Sequence, residues 1–224
     1  MRNEQFVFHA SSVDYMNDSA EYSQALKHCS DFVDEKLMEI ELGTPFAFCF
    51  SEKSDSVPMW NMYAKNGKGV CLKFCFSKLK KHFDQLKEKD KRFIKFDKCG
   101  YRDYIPKEDD KPLCSQPQHP NITELVKKMT EDAFIKPKCF SHEKEWRLMV
   151  WQSWIQNGKQ KMLFKERQDE LCPYLEIPVA VECLEGIILG PGASEQMIEA
   201  TKLLRSQYGG NGVSVEVSDI TLKV

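Results

Sequence analysis

The chain has 224 residues, enough to bury a full core in one domain and too few for more than two small ones. Hydrophobic residues make up 42% and charged residues 29%, an ordinary globular balance. The formal net charge of −2 gives no reason to expect nucleic acid or an anionic membrane as a partner.

No apolar run is long enough to span a bilayer, and the opening "MRNEQFVFHA" lacks a signal-peptide core, so a cytoplasmic location is expected. In chain order, "FVFHAS" is a short opening strand. "YMNDSAEYSQALKHCSDFVDEKLMEIEL" reads as a loop and then a helix. Tyr22, Leu26, Cys29, Val33, Leu37 and Ile40 recur at helical spacing, and Gly43-Thr44-Pro45 ends the run. "FAFCFS" is a second strand with Phe46, Phe48 and Phe50 on one face. A loop, a short helix "MWNMYAK", the turn "NGKG" and a third strand "VCLKFCF" follow. "SKLKKHFDQLKEKDK" is a charged helix whose apolar edge is Leu79, Phe83 and Leu86.

"RFIKF" is the next strand. Proline and charge dominate residues 101–120, which read as a loop insertion. "NITELVKKMTEDAF" is a helix capped by Asn121 and Glu124. "CFSHEKEWRLMVW" is a strand that runs through "QSWIQ" to Asn157-Gly158, a hairpin signal, with "KQKMLF" as its return strand. "YLEIPV" and "GIILG" are two more strands. The turn "GPGAS" opens the last helix with Ser194 near its cap, and "GVSVEVSDITLKV" closes the chain. Strands joined by short loops and interleaved with about four helices predict one α+β domain over residues 1–224, with a mainly antiparallel or mixed β-sheet.

The nine cysteines are odd in number, form no CxxC and mostly sit among apolar residues. They read as reduced, small core residues, and no metal is expected.

Three stretches carry candidate chemistry. In "HEKEWRL", Glu143, Glu145 and Arg147 share one strand face while Trp146, Leu148 and Val150 take the other. Two carboxylates beside an arginine suit acid/base work or the anchoring of a ribose; equally, they suit a solvated face with cross-strand ion pairs. If Arg147 pairs with Asp18 or Glu143, Glu145 is left free for a ligand and its replacement by Gln is nearly silent for stability. In "MNDSAEY", Asp18 and Glu21 are a helix cap, or with Asn17 they line the same pocket. In "FSEKSDSVPMWNMYAK", Ser51 ends a strand, and Trp60 and Tyr63 lie one helical turn apart. Those rings pack the short helix or offer a stacking surface to a planar ligand.

Taken together, "MNDSAE", "FSEKSDSVPMWNMYAKNGKGVCLKF", "HEKEWRL" and "GIILGPGAS" resemble, in order and spacing, a bacterial family called domain of unknown function 2971. Much of the segment that precedes "FVFHAS" in that family is expected to be missing. The resemblance implies an association with mobile elements and defence loci. More loosely, the serine-strand, tyrosine-helix, glycine-strand order and the late Glu-x-Glu are similar to ADP-ribosyltransferase folds. That likeness implies NAD as a small-molecule nucleotide substrate. Ser51 would brace the nicotinamide site, Tyr63 would stack on the ring, Glu145 would hold the ribose and Glu143 would orient the acceptor. His9 falls where that group carries a first-strand arginine or histidine.

The expectation is therefore a bacterial enzyme of ADP-ribosyltransferase type, acting as a toxin or anti-phage effector. The rivals are a magnesium-dependent nuclease or phosphodiesterase with Asp18, Glu21, Glu143 and Glu145 as ligands, and a non-enzymatic binding module.

Overall fold

The structure is a computed structural model that describes residues 5–15, 44–90, 93–103, 130–131, 133–152, 161–167, 169–208 and 212–221. Its strands are β1 (Gln5–Ser12), β2 (Thr44–Ser51), β3 (Val70–Phe74), β4 (Phe93–Lys98), β5 (Gly100–Arg102), β6 (Ile135–Pro137), β7 (Glu145–Gln152), β8 (Leu163–Arg167), β9 (Glu170–Ala180), β10 (Leu184–Leu189) and β11 (Ser214–Val217). Three α-helices lie among the described residues: α1 (Val57–Tyr63), α2 (Phe76–Asp90) and α3 (Glu195–Tyr208). The helix read after Asp18, up to residue 42, most of the one read over 121–134, and the Asn157-Gly158 turn fall outside them, as do residues 104–120 of the expected insertion.

A six-stranded sheet in the order β4-β7-β2-β1-β9-β8 organises the chain, and every pair in it is antiparallel. Alternation sends Phe8, Phe46, Ile94, Leu148, Val150, Leu175, Ile177 and Val179 to one face. Leu79 and Phe83 of α2 cover that face, with Leu86 beside them, so the apolar edge read in "SKLKKHFDQLKEKDK" is the buried one. Trp146 reaches the margin of this core, half-buried against Phe76 and Phe96. A smaller sheet, β11-β10-β3, pairs β10 parallel with β11 and antiparallel with β3. The α+β class with a mixed sheet system is the one the sequence predicts. Among the described residues no helix is long and apolar enough to cross a membrane.

Two pairings differ from the sequence reading. The run after Asn157-Gly158 does not return along β7, whose neighbours are β4 and β2. Instead β8 pairs with β9 at the far edge, around Asp169 in a left-handed conformation. A turn signal specifies that the chain reverses, not which strand it then meets. The short parallel pair β5–β6 was not read at all, because three-residue strands have no measurable period.

Two glycine loops fix where α1 ends. Lys65, Asn66 and Gly67 are successive left-handed residues, and the Gly67 amide donates to the Trp60 carbonyl at 3.0 Å. The turn after β10 docks on this loop. Gly190 N–H donates to the Gly69 carbonyl at 3.0 Å, and Gly192 N–H to the Gly67 carbonyl at 2.9 Å. A side chain at Gly190 would run into the Gly67 carbonyl, which is backbone and cannot turn aside. Gly190→Ala is therefore expected to lower stability by roughly 1–3 kcal/mol or more in urea titration, with the m-value unchanged. A silent substitution would show that the two loops are not locked.

Candidate functional site

The "HEKEWRL" stretch is not one continuous strand. Residues Lys138–Glu143 form a 3-10 turn, Lys144 adopts a left-handed conformation (φ 48°, ψ 50°), and β7 begins at Glu145. The end of β2 braces this kink. The Glu52 amide donates to the Lys144 carbonyl at 3.1 Å, and the Ser51 hydroxyl donates to the Glu143 carbonyl at 2.5 Å. Glu143 is thus placed by a turn and not by strand alternation, which corrects the sequence reading. Even so, its side chain meets that of Glu145.

They meet at Lys136, on β6. Its ammonium donates to Glu143 Oε2 at 2.6 Å and to Glu145 Oε2 at 2.8 Å. Arg147 Nε donates to Glu145 Oε1 at 2.8 Å, and its Nη1 donates to the Ala133 carbonyl at 2.5 Å. Tyr63, at the end of α1, donates its hydroxyl to Glu143 Oε1 at 2.6 Å. Tyr101 on β5 accepts from the Glu145 amide at 2.7 Å. All four charged residues are 3–5% exposed, whereas Tyr63 is 51% exposed. Two carboxylates therefore face one ammonium and one guanidinium inside the protein, with the tyrosine ring standing between the cluster and solvent.

Burial disfavours each charge, and the partners decide the outcome. Burial pushes the Glu145 carboxyl up, but Arg147 and Lys136 beside it hold it down at about 2. Burial pushes Lys136 down, and the two glutamates carry it above the usual lysine range. The Tyr63 hydroxyl is raised by burial and then by Glu143. Crowding by protein raises the Cys49 thiol, with Glu145 adding to it; Cys49 nonetheless keeps accessible surface.

Glu145, Arg147, Met149 and Trp151 line the sheet face turned away from α2, and all four are buried. Register carries that face across the sheet. Ser51 lies opposite Glu145, Cys49 opposite Arg147 and Ala47 opposite Ser11. His9 is therefore on the same face, exposed, with its ring 4.3 Å from that of Tyr174. The β1–β2 ladder is only two pairs long, Ser11↔Ala47 and Ser12↔Phe46. Beyond it, His9 on one strand and Cys49 and Ser51 on the other flank the line where the strands part.

Of the residues singled out in the sequence, Ser51, Tyr63, Glu143, Glu145 and Arg147 come together here. Asn17, Asp18 and Glu21 lie outside the described residues. Trp60 does not form a stacking edge with Tyr63. It is 3% exposed, packs with Ala64 and Ile188, and donates its indole N–H to Asp55 at 2.5 Å. Nor is Glu145 free for a ligand, since Lys136 and Arg147 occupy both its oxygens. Lys136 and Tyr101 were missed. The signal for Lys136 was a lysine inside the apolar run "AFIKP", where a buried cation would need acidic partners. His142, next to Glu143, directs Nδ1 at the Cys139 carbonyl (3.1 Å), while its buried Nε2 has no partner among the described residues. A shallow, open depression lies elsewhere, along α2, between Phe76 and Gln85.

Residues 59–148 match the model of a family described as Protein of unknown function (DUF2971), less than half of the chain. The matched stretch runs from α1 into β7 and holds Tyr63, Lys136, Glu143, Glu145 and Arg147. No curated protein and no solved structure matches the chain.

The geometry reverses the expectation that Glu145→Gln leaves stability intact. Removing that charge leaves two buried cations with Glu143 as the one carboxylate of the cluster and is expected to cost about 3–5 kcal/mol by urea titration. The effect carries a pH signature. Because the folded-state pKa of Glu145 is depressed to about 2 from an ordinary 4.5, its contribution is fully present above the ordinary value and fades as pH falls through the folded one. The wild-type advantage over Glu145→Gln should hold steady above about pH 5 and shrink toward pH 2. A difference independent of pH in that window would mean that Glu145 is not ion-paired.

Proposed function

We propose that the protein acts on NAD as an ADP-ribosyltransferase-type enzyme, with its site on the sheet face that carries Glu145, Ser51, Cys49 and His9. The observation that carries this reading is the convergence of three distant segments, the ends of β2 and α1 and the start of β7, on two carboxylates. Tyr63 supplies a half-exposed aromatic ring whose position is fixed by its hydroxyl bond to Glu143. A tethered ring of this kind is a stacking platform for nicotinamide.

In the reaction, the bond between the nicotinamide nitrogen and the ribose carbon breaks, and nicotinamide leaves with the electron pair. Glu145 faces the resulting oxocarbenium, and Glu143 orients the nucleophile, water or an acceptor group, whose proton is lost as the new bond forms. The two cations balance the carboxylates at rest, so a bound substrate must alter that balance before Glu145 can stabilise positive charge. The dinucleotide's diphosphate is an anion able to draw Lys136 or Arg147 toward itself. A divalent metal has less support. The two carboxylates already hold two cations, and a third positive charge there is repelled. A toxin or defence role rests on the sequence resemblance alone.

A non-enzymatic binding module is the second reading, favoured by the closed hydrogen bonding of the cluster. Purified protein is to be incubated with NAD, free nicotinamide quantified, and melting followed with and without NAD. Turnover is expected, with Tyr63→Phe lowering kcat/KM severalfold because the ring loses its tether to Glu143, and Tyr63→Leu losing tenfold or more. A thermal shift without turnover would support the binding module. Neither turnover nor shift at millimolar NAD would overturn the NAD reading.

A further inference from the structure

Cys75 and Cys183 are far apart in the chain and adjacent in the fold. The β3–β10 ladder pairs Phe74 with Leu184, and the same register continued by one residue sets Cys75 opposite Cys183. The contact is direct, since the Cys75 amide donates to the Cys183 carbonyl at 2.8 Å. Antiparallel residues that exchange both backbone bonds have Cα atoms about 5.5 Å apart; this pair makes one of the two, at a position whose ordinary spacing falls inside the roughly 4.4–6.8 Å window that a disulfide spans. The two thiols also interact electrostatically. After burial and Glu182, Cys75 is the next influence that raises the Cys183 thiol.

The surroundings differ in a way that orders the chemistry. Cys75 is half-buried and precedes the first turn of α2, where its carbonyl accepts from the Leu79 amide at 2.9 Å and its sulfur lies 3.3 Å from the Ser77 hydroxyl. Cys183 is 2% exposed and closes the 3-10 turn Val181–Cys183 ahead of β10. An external reagent therefore meets the half-buried Cys75 before the buried Cys183.

We propose that Cys75 and Cys183 form a redox-closable pair that ties the start of α2 to the start of β10. With a low-molecular-weight disulfide as oxidant, the Cys75 thiolate attacks one of its sulfurs, forming a mixed disulfide and releasing one thiolate. The Cys183 thiolate then attacks the Cys75 sulfur, forming the internal S–S bond and releasing the second. Two protein thiols lose two protons and two electrons, and the oxidant becomes two thiols. This pair uses none of the residues of the charged cluster, so its fate is independent of the NAD reading. The closed loop would enclose most of the six-stranded sheet, and closing a loop of that length restricts the unfolded chain strongly.

The test is to equilibrate the full chain in glutathione buffers of increasing oxidised fraction, trap remaining thiols by alkylation and map peptides without reduction. The expected product is a single internal link between the peptides of Cys75 and Cys183, with the loss of two hydrogen masses and a melting temperature raised by several degrees. Reductant should reverse both. Cys75→Ser should abolish the link and the rise without harming the reduced fold, and Cys183→Ala should leave Cys75 glutathionylated. The proposal is overturned if wild-type protein stops at a mixed disulfide on Cys75. It is equally overturned if the link involves other cysteines, or if no link forms in the most oxidising buffer while the protein remains folded.

Discussion

A buried lysine shared by two glutamates is the constraint on which the site is built. Lys136 would lose several kcal/mol of hydration on entering the interior, and Glu143 and Glu145 would each lose a comparable amount. None of the three is tolerable there alone. Together with Arg147 they balance charge and hydrogen-bond one another. That mutual dependence explains why short, weakly specified pieces are held where they are. β6 is three residues long and its partner β5 is three residues long, too little ladder to define a position by itself. The ammonium on β6 and the Tyr101 hydroxyl on β5 both anchor to Glu145, which belongs to a fully paired central strand.

The kink at Lys144 belongs to the same constraint. A left-handed residue other than glycine costs of order 1–2 kcal/mol. Here both flanking carbonyls are taken up by the end of β2, that of Glu143 by the Ser51 hydroxyl and that of Lys144 by the Glu52 amide. The exposed Lys144 side chain meets no steric demand from the core. A straight strand through residues 143–147 would carry Glu143 along the sheet. The kink delivers it to the end of α1, where Tyr63 closes the bond.

What could be read from the sequence follows from what is local. The period-two alternation of Phe46, Phe48 and Phe50 and of Leu148 and Val150 identified the strands and their core face, because that pattern needs no knowledge of partners. The charged residues of "HEKEWRL" stood out because central strands rarely carry them, and burial bears that out. Lys136 carried only a faint signal, since one lysine in the apolar run "AFIKP" is distinguished from a surface lysine only when its acidic partners are located. Spacing alone left Trp60 between packing and stacking for a related reason. Spacing put its ring on the same helix edge as Tyr63, but the indole N–H found Asp55 in the preceding loop and the ring turned inward. The pairing of β8 with β9 was hidden because a turn signal contains no information about non-local register.

Electrostatic neutrality is what distinguishes this cluster from a site already poised to act. A carboxylate stabilises an approaching cation in proportion to the net field of its surroundings, and two nearby cations cancel most of that field. A ligand can shift such a balance only through contacts that differ between the closed arrangement and an opened one. Tyr63 is where that difference is accessible from outside, because its ring is half in solvent while its hydroxyl holds Glu143. A ligand that displaced the Tyr63 hydroxyl would remove a hydrogen bond from Glu143. Perturbing Glu143 changes the share of Lys136 that Glu145 receives, since one ammonium serves both carboxylates. Among the described residues, the hydrogen bond from Tyr63 to Glu143 and the shared cation Lys136 thus link the half-exposed ring to the buried carboxylate of Glu145.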